Sequence, residues 1–208
     1  MQFLNEDMKF PEVSSATKEG IVAIGGDLTP QRLLLAYKSG IFPWFDQEEP
    51  IIWWSPDPRF VLFPEKLKIS KSMKQVLRNS NFEVTINRDF NTIIENCAKI
   101  ERIGQRGTWI TPNMIEAYKV FYQLGYVISV EVWRDNEIVG GLYGVDVNNG
   151  VFCGESMFSK VSNASKVGLI TFLQNSNYNL YDCQVYTNHL ASLGAEDIPR
   201  EEFLKYLG

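Results

Sequence analysis

The chain has 208 residues, of which 45% are apolar and 13% aromatic, and its formal net charge is −5. This size and composition suit one medium domain, or a small domain joined to a larger one, with a packed core. No apolar run approaches the roughly 20 residues of a membrane span, and the first residues do not resemble a signal peptide. We therefore expect a globular, cytoplasmic protein without a membrane partner.

The cysteines and the single histidine limit the chemistry. Cys97, Cys153 and Cys183 are odd in number and unclustered, so neither a disulfide framework nor a CxxC metal site is indicated. One histidine, His189, argues against a His-rich zinc site, and we expect no metal. His189 is a candidate general acid or base, but no GxSxG elbow accompanies it, so a capping or hydrogen-bonding role is favoured.

The first sixty residues, 1–60, predict a small N-terminal domain. The segment TPQRLLLAYKSG predicts a helix that is capped by Thr29, has proline in its first turn and ends at Gly40. PWFDQEEPIIWW follows, with three tryptophans around an acidic turn and a strand that two prolines stop. Adjacent strand side chains point to opposite faces, so at most one of Trp53 and Trp54 can face a given pocket.

The middle of the chain is locally basic. Residues 61–110 carry 9 Lys and Arg against 5 Asp and Glu. The segment from Lys68 to Ser80 predicts an amphipathic helix. Its polar face carries Lys71, Lys74 and Arg78. This face is either simply solvated or a docking patch for a polyanion.

The remaining elements mix strands and helices. In chain order the sequence predicts a strand FEVTINRD, helices FNTIIENCAKI and TPNMIEAYKVFYQLG, strands VISVEVW, EIVGGLYGVDV and GVFCGESMFS, a helix NASKVGLITFLQNS, a strand NLYDCQVY and a short helix from Arg200 to Leu207. This order predicts an α+β or mixed α/β domain over residues 61–208.

Polar residues and glycines interrupt the predicted strands. Glycines in GGLYGV and CGESMFS weaken a sheet unless another group approaches the backbone closely, which suggests a bound ligand. Glu155 follows Gly154 in an apolar strand, where it lies either in water at an edge or beside a buried partner. Asp182 and Gln184 stand at i and i+2, so both are expected on one face and Cys183 on the other. From the residues alone, a structural hydrogen-bonding role is favoured for this pair over a catalytic one.

A strand, a loop and the NASK helix in succession invite comparison with acetyl-CoA-dependent N-acyltransferases. In those enzymes a Gly-rich loop and a helix N-terminus grip a pyrophosphate. The corresponding segment here, SKVSNASK, contains no glycine. The sequence therefore disfavours a CoA-dependent N-acyltransferase that acts on a small amine, and that class remains an alternative.

Six groups of motifs together resemble the leucyl/phenylalanyl-tRNA protein transferases of bacteria. They are EGIVAIGGDLTPQRLLLAYKSGIFPWF, PIIWWSPDPRFVLFPE, GTWIT with MIEAY, SVEVW with IVGGLYGV, FCGESMFSKVSNASK, and DCQVYTNHLASLGA. They extend from Phe10 to about Phe203, and their order and spacing make the resemblance specific. The resemblance implies transfer of leucine or phenylalanine, and less readily methionine, from aminoacyl-tRNA to a protein with N-terminal arginine or lysine, which creates an N-degron.

The resemblance also implies an architecture and a set of partners. A small N-terminal domain, residues 1–60, is followed by a catalytic domain, residues 61–208, with the acyl-CoA N-acyltransferase (GNAT-like) fold. The partners are leucyl-tRNA, phenylalanyl-tRNA and the acceptor protein. Because the aminoacyl ester is already activated, no cofactor is required, and a monomer is expected. An adaptor that binds aminoacyl-tRNA without catalysis remains a second alternative.

For the donor, the resemblance implies aromatic and apolar contacts. Trp44 and Trp109 would stack on the 3′-terminal adenosine, a contact of about 1–3 kcal/mol, while Trp53 and Trp54 brace the fold. The side chain of the transferred amino acid would enter an apolar pocket, for which ordinary core packing is the alternative. That pocket consists of Leu142, Phe152, Met157, Leu169 and Phe172.

For the acceptor, the resemblance implies a recess lined by carboxylates. Glu155 and Asp182 fit such a recess, since the acceptor's N-terminal residue is cationic. Asp182 would also accept or relay the proton, and Gln184 would hold the attacking amine or the developing oxyanion. The acceptor stem's phosphates would contact the basic helix face, Lys71, Lys74 and Arg78.

Overall fold

The computed structural model describes residues 2–100 and 108–208, and every element below lies in that part of the chain. The helices there are α1 (Pro30–Lys38), α2 (Lys71–Asn79), α3 (Phe90–Lys99), α4 (Pro112–Gln123), α5 (Ala164–Gln174), α6 (Asn188–Ala191) and α7 (Arg200–Leu204), with 3-10 turns at Val13–Ser15 and Pro64–Lys66. The strands are β1 (Gln2–Leu4), β2 (Ile21–Gly25), β3 (Phe42–Pro43), β4 (Ile52–Trp54), β5 (Arg59–Leu62), β6 (Glu83–Ile86), β7 (Val127–Arg134), β8 (Glu137–Asp146), β9 (Val151–Ser159), β10 (Leu180–Gln184) and β11 (Glu196–Ile198).

The strands form two sheets. The smaller has the order β1-β2-β4-β3, and the larger has the order β11-β5-β10-β9-β8-β7-β6. In the larger sheet β9 and β10 are parallel, and helix α5 makes the crossover that parallel neighbours require. The predicted mixed α/β class is confirmed. Strand β5 begins at Arg59, and the predicted domain limit at residue 60 stays a prediction.

Capping residues set the helix limits, as the sequence predicts. The Thr29 hydroxyl accepts a hydrogen bond from the N–H of Arg32, and Gly40 adopts a φ of +72° just after α1. Ser70 and Thr111 cap α2 and α4 in the same way. None of the helices in the described residues is long and apolar enough to cross a membrane.

The core has two main layers, one against each face of the larger sheet. One buried cluster joins α1, α3 and α4 to the smaller sheet, and the other packs α5 and the apolar side of α2 against the opposite face. Trp53 belongs to the first cluster and is 0% exposed. Its Nε1 donates to the carbonyl of Gly25 at 2.9 Å, and the Phe10 ring meets it edge-on. The expectation that Trp53 braces the fold is confirmed.

Irregularities in β9 and β10 open the sheet at one point. The two strands pair over three residues and their register ends at Cys153 and Asp182. The register of β9 with β8 then shifts, which leaves Glu155 without a partner on β8. The register of β10 with β5 shifts between Asp182 and Gln184, and Gln184 takes a φ of +65°. Two such bulges side by side re-aim the side chains that follow them.

Candidate functional site

A cavity of about 440 Å³, called the main pocket below, lies where β9 and β10 diverge. Both strands contribute to its wall, together with the segment after β3 and residues of α6. Of the site residues predicted from the sequence, five line this pocket: Trp44, Trp109, Glu155, Met157 and Gln184.

Glu155 supplies the negative charge of the main pocket. Among the described lining residues no other side chain is acidic, and Glu155 is only 8% exposed. Its carboxylate accepts from the Tyr118 hydroxyl at 3.1 Å and from Gln184 Nε2 at 2.8 Å. The Tyr37 hydroxyl in turn bonds to the Tyr118 hydroxyl. Glu155 is therefore a buried and paired acid rather than an edge residue in water.

The surroundings of Glu155 place its ionisation near neutral pH. Burial raises the pKa of Glu155 from an ordinary 4.5 to about 7, because desolvation disfavours the charged form. Hydrogen bonds from Tyr37, Tyr118 and Gln184 favour the charged form and hold the pKa lower than burial alone would. A cation that enters the main pocket would lower the pKa further and favour the carboxylate.

Asp182 lies outside the main pocket. It is 0% exposed, and its two oxygens accept from Arg59 Nε at 2.8 Å and Arg59 Nη2 at 2.7 Å. The backbone N–H of Gln184 also donates to Asp182 Oδ1 at 2.9 Å. Arg59 further donates to the carbonyl of Gly40 at 3.2 Å. Asp182 thus fixes the bulge that aims Gln184. It is not among the residues that line the main pocket, and the predicted contact of its carboxylate with the acceptor stays a prediction.

The bulge in β10 corrects a second expectation. Strand alternation predicts that Cys183 faces away from Gln184, but both residues line the main pocket. The register shift and the left-handed backbone of Gln184 break the alternation. Burial raises the pKa of the Cys183 thiol well above its usual value, so this thiol stays protonated at neutral pH.

The tryptophans around the main pocket support one another. Trp44 and Trp109 are half-buried in its wall. Trp54 donates from Nε1 to the carbonyl of Trp44 at 2.7 Å, and the centroids of the two rings lie 5.7 Å apart. Trp54 therefore holds Trp44 in place, in agreement with its expected supporting role. Stacking of Trp44 and Trp109 on an adenosine stays a prediction.

The five predicted apolar pocket residues divide into two groups. Met157 alone forms the first group and lines the main pocket. The other group does not line the pocket and lies in the core cluster at exposures of 0–4%: Leu142, Phe152, Leu169 and Phe172. The apolar wall of the pocket comes instead from residues that include Ile100, Phe158 and Leu190. Whether a donor side chain reaches the deeper group stays a prediction.

The predicted basic face lies on α2, away from the main pocket. Lys71, Lys74 and Arg78 are exposed, and within residues 2–100 and 108–208 none of them forms an ion pair. Their charges are therefore free to meet an external anion. Contact with tRNA phosphates stays a prediction.

His189 lines the main pocket without the partner expected for it. Thr187, not His189, caps α6. In the described part of the chain, His189 Nε2 is buried and has no hydrogen-bond partner. Burial, and then the nearby charge of Lys166, lower the pKa of His189, so the ring is neutral at pH 7. No cluster of three or more His, Cys, Asp or Glu side chains among these residues is placed to hold a metal ion.

Sequence reasoning missed the polar partners of the site. Tyr118 stands between Met114 and Phe121 at helical spacing, which indicates core and gives no sign of its hydroxyl's role. Arg59 begins a strand, and nothing local marks it as the partner of a residue 123 positions away. The available signal was Glu155 itself, since a buried acid requires donors.

Two family models match this chain. The model described as leucyl/phenylalanyl-tRNA protein transferase matches residues 61–208, and the model of that family's N-terminal domain matches residues 26–57. A leucyl/phenylalanyl-tRNA–protein transferase of Flavobacterium johnsoniae is 58% identical over 100% of this chain and 99% of its own length. One from Klebsiella pneumoniae is 49% identical over 100% of this chain and 89% of its own.

The family models and the curated relatives define the class of this protein as a transferase. More particularly, the chain belongs to the leucyl/phenylalanyl-tRNA protein transferase family, as its motifs predict.

Solved structures give a weaker likeness. A GCN5-related N-acetyltransferase from Kribbella flavida has a TM-score of 0.37 and 10% identity, and the match covers 77% of this chain and 58% of that one. A conserved protein of unknown function from Bacteroides thetaiotaomicron has a TM-score of 0.42 and 11% identity over 89% and 64% of the two chains. Both TM-scores are below 0.5.

Proposed function

We propose that this protein transfers leucine or phenylalanine, and less readily methionine, from aminoacyl-tRNA to the N-terminal arginine or lysine of an acceptor protein. The product carries an N-degron. The protein acts as a cytoplasmic monomer and uses no cofactor, because the aminoacyl ester supplies the activation. The observation that carries the proposal is the Glu155 and Gln184 pair in an aromatic-walled pocket of a chain that belongs to this family.

The acceptor's positive charge is matched by Glu155. The main pocket has no second carboxylate among its described lining residues. Asp182 lies outside it and forms an ion pair with Arg59. Glu155 therefore attracts the cationic N-terminal residue into a largely desolvated site, where a charge-assisted contact is strong. The approach of that cation shifts Glu155 towards its ionised form.

Gln184 orients the attacking amine. Its Nε2 already donates to Glu155, which leaves Oε1 as an acceptor for an N–H of the amine. The neutral α-amine, with an unperturbed pKa of about 7.7–8.0, then presents its lone pair to the ester carbonyl. The new C–N bond forms, the ester C–O bond breaks, and the proton lost by nitrogen goes to the departing ribose oxygen. Asp182 is a positioning residue that acts through Gln184.

The donor is held by the aromatic and apolar walls. Trp44 and Trp109 offer ring surfaces to the terminal adenosine, and Met157 meets the leucine or phenylalanine side chain. One observation disfavours CoA as the donor. The N–H of Ser165 at the start of α5 is taken by Ser159 Oγ at 2.8 Å, so it cannot grip a pyrophosphate. Acetyl-CoA should therefore not replace aminoacyl-tRNA as the acyl donor in a transfer assay.

Transfer of labelled leucine from leucyl-tRNA to peptides tests the proposal. Peptides that begin with arginine or lysine should acquire label, whereas a peptide that begins with alanine and a reaction with uncharged tRNA should not. Binding of leucyl-tRNA without any transfer would support the adaptor class instead. Label on the alanine peptide at an equal rate would remove the proposed acceptor specificity.

A further inference from the structure

A second cavity lies beside the main pocket. Its volume is about 180 Å³, and it is called the lysine recess below. Its polar wall consists of Lys68, Ser70, Ser72, Asn163, Lys166 and Ser192. None of the sequence motifs assigns a role to this set of residues.

The lysine recess is suited to an anion. Lys68 and Lys166 both line it, and within the described part of the chain neither of them forms an ion pair. No acidic side chain is among the described residues of its wall. Helices α2 and α5 begin at its edge, and their positive ends add partial charge of the same sign. The hydroxyls of Ser70 and Ser72 share one hydrogen bond, which leaves one of these two O–H groups as a further donor for a phosphate.

The lysine recess and the main pocket share two walls. At the start of α5, Ser165 lines the main pocket and Lys166 lines the recess. Around α6, Leu190 lines the main pocket and Ser192 lines the recess. Lys166 is also close enough to lower the pKa of His189 in the main pocket. The two cavities are therefore separated by only one or two residues of each shared element.

We propose that the lysine recess binds a backbone phosphate in the single-stranded 3′ end of aminoacyl-tRNA, next to the terminal adenosine held in the main pocket. This inference rests on the proposed function. The contact fixes the position of the RNA strand and reads no base, since a phosphate is common to every nucleotide. The wall of the recess includes Ser72 and Val76 of α2 and Lys166 of α5, so the recess adjoins both the helix that carries the exposed cations and an element that lines the main pocket.

Removal of both lysines should affect only the substrate that carries the phosphate. In Lys68→Ala/Lys166→Ala, KM for leucyl-tRNA should rise on the order of tenfold, because charge-assisted hydrogen bonds are lost. KM for leucyl-adenosine, which lacks the phosphodiester, should not change. The control Lys38→Ala/Lys205→Ala makes the same change in net charge at exposed positions outside the recess and should resemble the wild type.

A neutral RNA linkage identifies the phosphate. One methylphosphonate, placed at each of the last three linkages in turn, should weaken binding to the wild type at one position and have no effect there in the double lysine variant. The log–log dependence of affinity on salt should become shallower by about 0.7 for each lost contact. Equal methylphosphonate effects in both proteins would overturn the inference.

The outcomes separate this inference from the proposed function. Wild-type transfer from leucyl-tRNA with an unchanged KM in the double lysine variant would reject the recess and leave the function standing. Binding of inorganic phosphate that does not compete with leucyl-tRNA would also reject an RNA site. Absence of transfer from both leucyl-tRNA and leucyl-adenosine in the wild type would reject the function itself.

Discussion

Glu155 combines burial with the negative charge that its proposed role requires. The carboxylate is held in a bulge of β9 by Tyr118 and Gln184, and its pKa of about 7 leaves it partly neutral at physiological pH. An arriving cation completes its ionisation. In the proposed function, the charge of the acceptor offsets the cost of burying this carboxylate.

This pKa predicts a stability effect. Between pH 4.5 and 7 the folded protein keeps the Glu155 proton while the unfolded chain loses it, so the wild-type free energy of unfolding falls as pH rises. Glu155→Gln cannot ionise and escapes this loss. Between pH 4.5 and 8, the free energy of unfolding of Glu155→Gln, measured by urea unfolding, should increase relative to that of wild type by up to about 3 kcal/mol. The exposed Glu137→Gln is the control, and a pH-independent difference for Glu155→Gln would contradict the account.

Tyr118 adjusts the same equilibrium. Its hydroxyl favours the charged form of Glu155, so Tyr118→Phe should raise the pKa of Glu155. As the pH is lowered, KM for an arginine peptide should then begin to rise at a higher pH than in wild type. At high pH, kcat should stay near the wild-type value. Tyr122→Phe, on the same helix, removes a hydroxyl that bonds the carbonyl of Asn87 and serves as the control. An unshifted profile would place Tyr118 among purely structural residues.

Residue chemistry was only partly accessible from sequence. An acid beside Gly154 in an apolar strand indicates either an edge or a buried pair, and the structure selects the pair. Helical spacing cannot distinguish a core tyrosine from one that bonds a carboxylate, so Tyr118 was missed. Likewise, apolar residues such as Phe152 and Phe172 satisfy both the core and pocket interpretations, and only their burial against each other reveals the packing.

At the scale of elements, strand β10 fixes the position of Gln184 in the site. Arg59 on β5 grips Asp182, and Asp182 accepts the N–H of Gln184 across the bulge. The guanidinium also lies over the rings of Phe42 and Phe203, so it connects the smaller sheet and α7 to the site. The position of the Gln184 side chain therefore depends on a buried ion pair whose two residues do not line the main pocket.

Asp182→Asn should separate turnover from RNA binding. The substitution keeps the volume but leaves Arg59 without its anion, a change that costs about 3–5 kcal/mol when a buried pair is broken. At a temperature where the variant is folded, kcat should fall at least about tenfold, and Kd for leucyl-tRNA should stay within about twofold. Equal losses in kcat and in affinity for leucyl-tRNA would contradict a positioning role for Asp182.

Glu131→Gln is a matched control for that experiment. Glu131 is also 0% exposed and accepts from the Ser129 hydroxyl at 2.6 Å and the Thr85 hydroxyl at 2.7 Å. It does not line the main pocket. Its variant should lose stability and keep kcat, so a large fall in kcat there would show that destabilisation alone impairs turnover.

Helices were easier to predict than strand pairing. Caps such as Thr29 and Thr111 act within a few residues, so local sequence reports them. The bulges in β9 and β10 arise from pairing with β8 and β5, which are distant in sequence. Strand β11 was missed for the same reason, and the last helix, predicted to reach Leu207, ends at Leu204.

At the scale of the whole molecule, charge is unevenly distributed. The net charge is −5, yet α2 presents exposed cations and the neighbouring lysine recess adds two more. The main pocket, in contrast, carries the carboxylate of Glu155. A polyanion and a cationic peptide can therefore approach different parts of the surface and meet at the pocket.

Neutralisation of the α2 face should weaken RNA binding without altering catalysis. In Lys71→Ala/Lys74→Ala/Arg78→Ala the affinity for tRNA should fall by a similar factor for all tRNA sequences, since phosphates carry no sequence. The log–log salt slope should become shallower by about 0.7–0.9 per lost contact, and kcat should be unchanged. An unaltered slope in a salt titration would make α2 a merely solvated face.

The overall organisation followed from motifs rather than from composition. Length and apolar content limited the size of the core, and element order predicted a mixed α/β class, but neither indicated where a pocket would form. Motif order from Phe10 to Phe203 identified the family. The pocket itself depends on the divergence of β9 and β10, which only the assembled sheet reveals.

The most direct test of the central claim pairs the charge of Glu155 with the charge of the acceptor. Leucine transfer is measured from leucyl-tRNA to peptides that begin with arginine or with its neutral isostere citrulline, for wild type and Glu155→Gln. Wild type should prefer arginine in kcat/KM by at least about tenfold, and Glu155→Gln should lose most of that preference. The same arginine preference in both proteins would show that Glu155 does not recognise the acceptor and would contradict the account.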